Sequence, residues 1–168
     1  AEALDYSFGQ GAAHYTYALS QWGQSNYDIA LDHLLDAEKF FAPITEDKGY
    51  KSSISQLKAL VYDDLEEYEK AFAIYYRMIA SMDSIELNSS DKTFNNIGAI
   101  HHKTYVLDSA EYYYKRALKI RLNRGDKYGI AESYHNLGIL NYNRDSLEEA
   151  LDCYRKSLKI KRELKNYS

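Results

Sequence analysis

His101 and His102 stand side by side, and His135 lies further along in a segment of similar pattern, so imidazole is the first chemistry the chain offers. Neutral imidazole binds transition metals and moves protons near neutral pH. Adjacent residues on a helix point about 100° apart, which keeps His101 and His102 from sharing one ion. His102 with His135 could share one, yet no Asp or Glu stands ready to complete the site. No metal and no cofactor are therefore expected, and an enzymatic or metal-binding use of His102 and His135 ranks last among the readings. Hydrogen bonding is the stronger theme. Asn96 and Asn136 each precede an apolar residue and a glycine, in "NIG" and "NLG". A side-chain amide there offers a peptide backbone both a donor and an acceptor. The chain shows no glycine-rich phosphate loop, nucleophile elbow or zinc-protease signature. Its single cysteine, Cys153, leaves no partner for an internal disulfide.

These side chains sit in a sequence that repeats itself. "DSAEYYYKRALKI" (108–120) has a near-twin in "DSLEEALDCYRKSLKI" (145–160). Aligned on their alanines, four copies emerge, at Ala30, Ala71, Ala110 and Ala150, spaced by 41, 39 and 40 residues. Three residues earlier stands a large apolar side chain (Tyr27, Tyr68, Leu107, Leu147), and four later another (Leu34, Tyr75, Tyr114, Tyr154). Twelve earlier stands a small one: Ala18, Ala59, Gly98, Gly138. A −3/0/+4 pattern marks one face of a helix. Alanine in its middle, opposite Gly or Ala in the preceding helix, lets two helices approach at the short end of the usual separation. Each copy therefore predicts an antiparallel helix pair with a short turn, as at "GQSN" (23–26) and "NRDS" (143–146). Asp145 followed by Glu148 reads as a capping box. Two residues misfit the columns: Glu38, where later copies carry Leu or Ile, and Lys58, in a column otherwise apolar. Composition agrees with an all-α chain: 45% hydrophobic, one proline, and no apolar run near the roughly 20 residues a membrane span needs.

The small residue, alanine and aromatic signature resembles the tetratricopeptide repeat, in a long variety whose extra residues extend the second helix or the linker, as in "KIRLNRGDKYG" (119–129). The resemblance implies an α-α superhelix, or solenoid, of about four helix-turn-helix repeats at 11–44, 52–85, 91–124 and 131–164. Residues 1–9 would be the tail of a preceding repeat's helix, and the whole a segment of a longer array. It further implies that first helices line a groove. Repeat 1 would supply Tyr15, Leu19 and Trp22, and repeat 2 Gln56, Leu60 and Asp63. Repeat 3 would add Asn95, Asn96, Ala99, His102 and Lys103, and repeat 4 His135, Asn136, Ile139, Tyr142 and Asn143. Tyr15, Trp22 and Tyr142 are the expected anchors, and Asn96 and Asn136 the backbone clamps; alternatively each asparagine ties its repeat to the next. Only Lys103 is placed for a groove that clamps a carboxylate terminus.

Charge narrows the partner. The net charge is −4, which argues against nucleic acid. Residues 1–110 hold 8 Lys/Arg against 17 Asp/Glu, and residues 111–168 hold 13 against 8. The late cations, including Lys159, Lys161, Arg162 and Lys165, largely fall near helix C-termini, where they suit the dipole. The sequence thus predicts a non-catalytic scaffold for a protein or peptide partner, contacting neither nucleic acid nor membrane. Self-association through uncapped repeat ends is the structural alternative.

Overall fold

The structure, a computed structural model, describes residues 2–45 and 48–165. Every regular element among them is a helix, and the chain falls into two compact units, Ala1–Ser81 and Met82–Ser168. The first unit holds α1 (Glu2–Gly23), α2 (Tyr27–Phe41), α3 (Lys48–Asp64) and α4 (Tyr68–Ser81). There α1 packs along α2, α3 along α4, and α2 against α3. The second unit holds the one-turn α5 (Ser84–Leu87), then α6 (Asp91–Lys103), α7 (Leu107–Arg124), α8 (Lys127–Asn143) and α9 (Leu147–Lys165). Its pairs are α6 with α7 and α8 with α9, joined by contacts of α7 with α8. No helix among the described residues is long and apolar enough to cross a membrane.

The repeat columns are the crossing points. Ala18, Ala30, Ala59, Ala71, Ala110 and Ala150 are all buried, as are Leu34, Tyr75 and Tyr114. A Cβ on Gly98 would lie 2.8 Å from the Tyr114 ring and 3.3 Å from the carbonyl oxygen of Ala110. One on Gly138 would lie 2.6 Å from the Tyr154 ring. At these two crossings glycine makes the room into which Tyr114 and Tyr154 press, whereas the second copy carries Ala59 in the same column as buried Tyr75. Each pair closes through the same turn. Ser25, Glu66, Tyr105 and Asp145 adopt left-handed φ of 58–62°, and the following amides bond back to Gln21, Tyr62, His101 and Asn141 at 2.8–2.9 Å. This is the Schellman closure, made four times without glycine.

Some local expectations differ from the structure. α1 runs unbroken through Gly9 and Gly11, so residues 2–9 continue the first helix of repeat 1. Gly11 serves close packing instead of a break, since a Cβ there would meet Phe41 at 2.6 Å. The capping box forms at α5, where Asp83 accepts from the amides of Ile85 and Glu86 and Glu86 accepts from that of Asp83. Asp145 lies in the left-handed turn residue's position and caps nothing in that way. α7 does extend into the 119–129 segment, ending at Arg124 with Gly125 at φ +70°.

The two misfits of the columns are each other's partners. Lys58 on α3 donates to Glu38 on α2 at 2.8 Å. Their column equivalents in the second unit, Leu118 and Leu137, belong to one apolar cluster. A polar pair has replaced an apolar one at the same joint. A second substitution of this kind is larger. In the first unit Phe41 stacks on Tyr50 with centroids 4.8 Å apart, beside Gly11. The same three columns in the second unit hold Arg121, Gly129 and Asp91. Arg121 and Asp91 are buried and paired, Nε to Oδ2 at 2.8 Å. Arg121 also donates to the Gly129 carbonyl at 3.0 Å and the Ser133 hydroxyl at 2.9 Å, and Arg124 holds the other Asp91 oxygen at 2.9 Å.

Two outcomes follow for stability. Lys58→Leu alone strands Glu38 and costs on the order of 1 kcal/mol in chemical denaturation, because the pair is only partly buried; Lys58→Leu with Glu38→Leu restores the loss, and a strictly additive double variant would refute the coupling. Asp91→Ala leaves buried Arg121 with only the half-exposed Glu132 carboxylate, 3.7 Å away, as counter-charge and costs about 3 kcal/mol, measured as a fall in the denaturation midpoint of the second unit.

Candidate functional site

In the second unit the first helices of the two repeats, α6 and α8, are bridged by side-chain hydrogen bonds at two levels. Asn136 Nδ2 donates to Asn95 Oδ1 at 3.0 Å. Asn143 Nδ2 lies 2.7 Å from His102 Nε2. An amide nitrogen can only donate, so Nε2 accepts and His102 is neutral with its proton on Nδ1. The donors are seven residues apart on α8 and the acceptors seven apart on α6, two helical turns in each case, so both rungs stand on one face of each helix. Neither the Asn95 amide nitrogen nor the Asn136 amide oxygen has a further partner among the described residues. The first rung thus shows one donor and one acceptor outward.

The surroundings of the rungs are mixed. Tyr142 is 60% exposed and lies one residue before Asn143. His135 is exposed and its ring lies against that of Tyr154, with centroids 5.8 Å apart. Lys103 is exposed, and Asn96, Ala99 and Ile139 are half-buried. Asn96 makes its own contacts, so of the two adjacent asparagines it is Asn95 that meets Asn136. The tie between successive repeats is therefore present at Asn136. His102 and His135 are held by different neighbours, Asn143 and Tyr154. Among the described residues no group of three histidine, cysteine or carboxylate side chains is arranged to hold a metal ion.

The first unit presents its corresponding residues differently. Trp22 Nε1 donates to Asp64 Oδ2 at 2.6 Å, from the column of His102 to that of Asn143, so the same rung recurs with other chemistry. Trp22 and Tyr15 both pack against the core cluster of Ala18, Leu34 and Leu57, and Tyr15 meets Tyr50 edge-on at 5.8 Å. Asp63 is buried, Gln56 and Leu60 are half-buried, and Leu19 is 37% exposed. Of the three expected anchors, only Tyr142 presents most of its ring. The columns also give no sign of the His14–His33 contact, Nδ1 to Nδ1 at 2.9 Å, which joins α1 to α2.

Paired helices with small residues at their crossings, stacked in register, define a helical-repeat protein. Residues 89–163 match the family model described as Tetratricopeptide repeat. That match covers 75 of the 168 residues and lies in the second unit. It is 30% identical over 104 residues to Response regulator aspartate phosphatase E of Bacillus subtilis, an alignment covering 58% of this chain. The chain spans about a quarter, 27%, of that relative's length. Among solved structures it resembles BtubC (BKLC) from P. vanneervenii with a TM-score of 0.81 at 20% identity, covering 94% of this chain and 65% of that one. MamA gives a TM-score of 0.70 at 14% identity, covering 94% and 81%. At those identities the structural likenesses describe the fold.

The rungs bear on pH. Burial holds both His101 and His102 below the ordinary histidine range. As pH falls below about 6.5 the unfolded chain takes up protons that the folded rings resist, so stability falls with pH across that window. Protonating His102 also removes the lone pair that accepts from Asn143. His102→Gln keeps a non-titrating acceptor, so its melting temperature should fall less between about pH 7 and pH 5 than that of the parent chain. An unchanged slope would show that this rung does not carry the pH dependence.

Proposed function

We propose that the protein is a non-catalytic scaffold that binds a protein or peptide partner on the first-helix face of its repeats. The observation that carries the reading is the pair of rungs on α6 and α8. They fix four polar side chains before any partner arrives, which lowers the entropy cost of binding. The outward donor of Asn95 and acceptor of Asn136 match what one peptide unit of an extended segment presents, and Tyr142 adds aromatic contact area beside them. Asn95 with Asn136 thus takes the clamp role, with His102, Lys103, His135 and Asn143 forming its polar border. Tyr15, Trp22, Gln56 and Asp63 support the corresponding face of the first unit from within. The relative named as a response regulator aspartate phosphatase supports a regulatory setting, in which the partner is itself a signalling protein.

A second reading, self-association, rests on α9. Leu147, Leu151 and Leu158 are 60%, 48% and 48% exposed. The column equivalents of Leu147 and Leu158, Leu107 and Leu118 on α7, pack against a cluster containing Leu137 and Leu140 of α8. Sedimentation at rising concentration separates the readings, since a constant mass removes self-association.

The deciding experiment is capture from native lysate with the parent chain and with Asn95→Ala/Asn136→Ala. Circular dichroism should find both folded. A partner held by the parent and lost, or weakened about tenfold, by the variant supports the clamp. A partner retained in full by the folded variant overturns it.

A further inference from the structure

A cation-lined surface cleft lies along α7. The one-turn helix α5 stands beside α7 and the two enclose a surface cleft of about 480 Å³. Tyr112, Lys115, Arg116, Lys119 and Asn123 line it at helical spacing, and Leu87 and Asn88 form the facing wall. Among the described residues no carboxylate lines the cleft. The acidic residues of α5 are engaged elsewhere, because Asp83 and Glu86 close the capping box on their own backbone.

The cations of α7 divide into two groups. Lys115 pairs with Glu111, Arg121 with Asp91, and Arg124 with Asp91 and Asp126. Arg116 and Lys119 pair with no carboxylate among the described residues, and both face the cleft. Arg116 is also held in place, its guanidinium carbon 4.0 Å over the Phe94 ring. A stacked guanidinium keeps its fork of N–H donors available while losing rotamer freedom, which pre-organises it for a carboxylate.

We propose that this cleft binds an acidic peptide segment. Arg116 takes one carboxylate by its paired N–H groups and Lys119 a second as a point charge. Asn88 and Asn123 supply hydrogen bonds to the peptide backbone, and Tyr112, 58% exposed, covers an apolar side chain between the acids. A peptide fits better than nucleic acid, because the chain's net charge of −4 repels an extended polyanion while a short acidic segment needs only the local field. The site is separate from the α6–α8 rungs: it uses a second helix of the repeat and does not depend on the clamp.

Fluorescence anisotropy tests the site with a labelled heptapeptide of glutamates around one leucine, and with its glutamine counterpart. The acidic peptide should bind and the glutamine peptide should not. Arg116→Gln/Lys119→Gln should weaken binding about tenfold or more, while Arg155→Gln/Lys159→Gln, which removes the same charge from α9, leaves it within about twofold. Lys119→Gln alone, a more conservative change, should give a smaller loss in the same direction if the double variant fails to fold. Equal losses in the cleft and α9 variants would reduce the effect to net charge and overturn the proposal. So would an acidic peptide that fails to bind, or displacement from the cleft by a single-stranded DNA oligonucleotide as effective as the unlabelled peptide.

Discussion

Everything in this chain rests on how closely two helices can approach where an alanine meets a small residue. Ala110 lies opposite Gly98, and the Tyr114 ring closes over the glycine at a distance that admits no Cβ. The contact is short-range and so fixes the axial register of the pair. A one-residue slide would put a side chain under the ring. With the register fixed, the face of each first helix is fixed too. The pairing of Asn136 with Asn95, and of Asn143 with His102, depends on it. The crossing lies within one helical turn of the proposed clamp on the same helices and sets its geometry.

Between repeats the constraint is looser, and the chemistry varies. Phe41 on Tyr50 and Arg121 on Gly129 occupy the same columns, one joint filled by rings and the other by a guanidinium network. The exchange is concerted. The residue facing Phe41 is Gly11, which leaves room for the ring, and the one facing Arg121 is Asp91, which supplies its charge. Glu38 with Lys58, against Leu118 with Leu137, shows the same freedom on a smaller scale. A joint tolerates either an apolar or an ionic filling provided all its members change together.

This difference explains what the sequence reveals. The crossings are legible because each imposes the same residue class at the same spacing in every copy, and four copies repeat the statement. The family resemblance follows from those columns. The joints are not legible, because each is written once. Glu38 and Lys58 are visible as misfits, but nothing in their spacing says that they face each other. The asparagines mark the limit most clearly. Column logic selects Asn96 with Asn136, and a rotation of one residue, about 100° on the helix, makes Asn95 the actual partner. His14 and His33 touch at the columns where Phe94 and Tyr113 stack in the second unit, but the residue types differ so much between copies that the columns do not announce the contact.

The turns carry a consequence of another kind. Ser25, Glu66, Tyr105 and Asp145 all hold a left-handed backbone that disfavours non-glycine residues by roughly 1 to 2 kcal/mol. A turn of that sort does not form first and then draw its helices together, because by itself it is uphill. The helices must meet at the alanine crossing before the closure becomes favourable. Each turn is therefore held by the crossing it closes, and a substitution that loosens the crossing releases the turn with it.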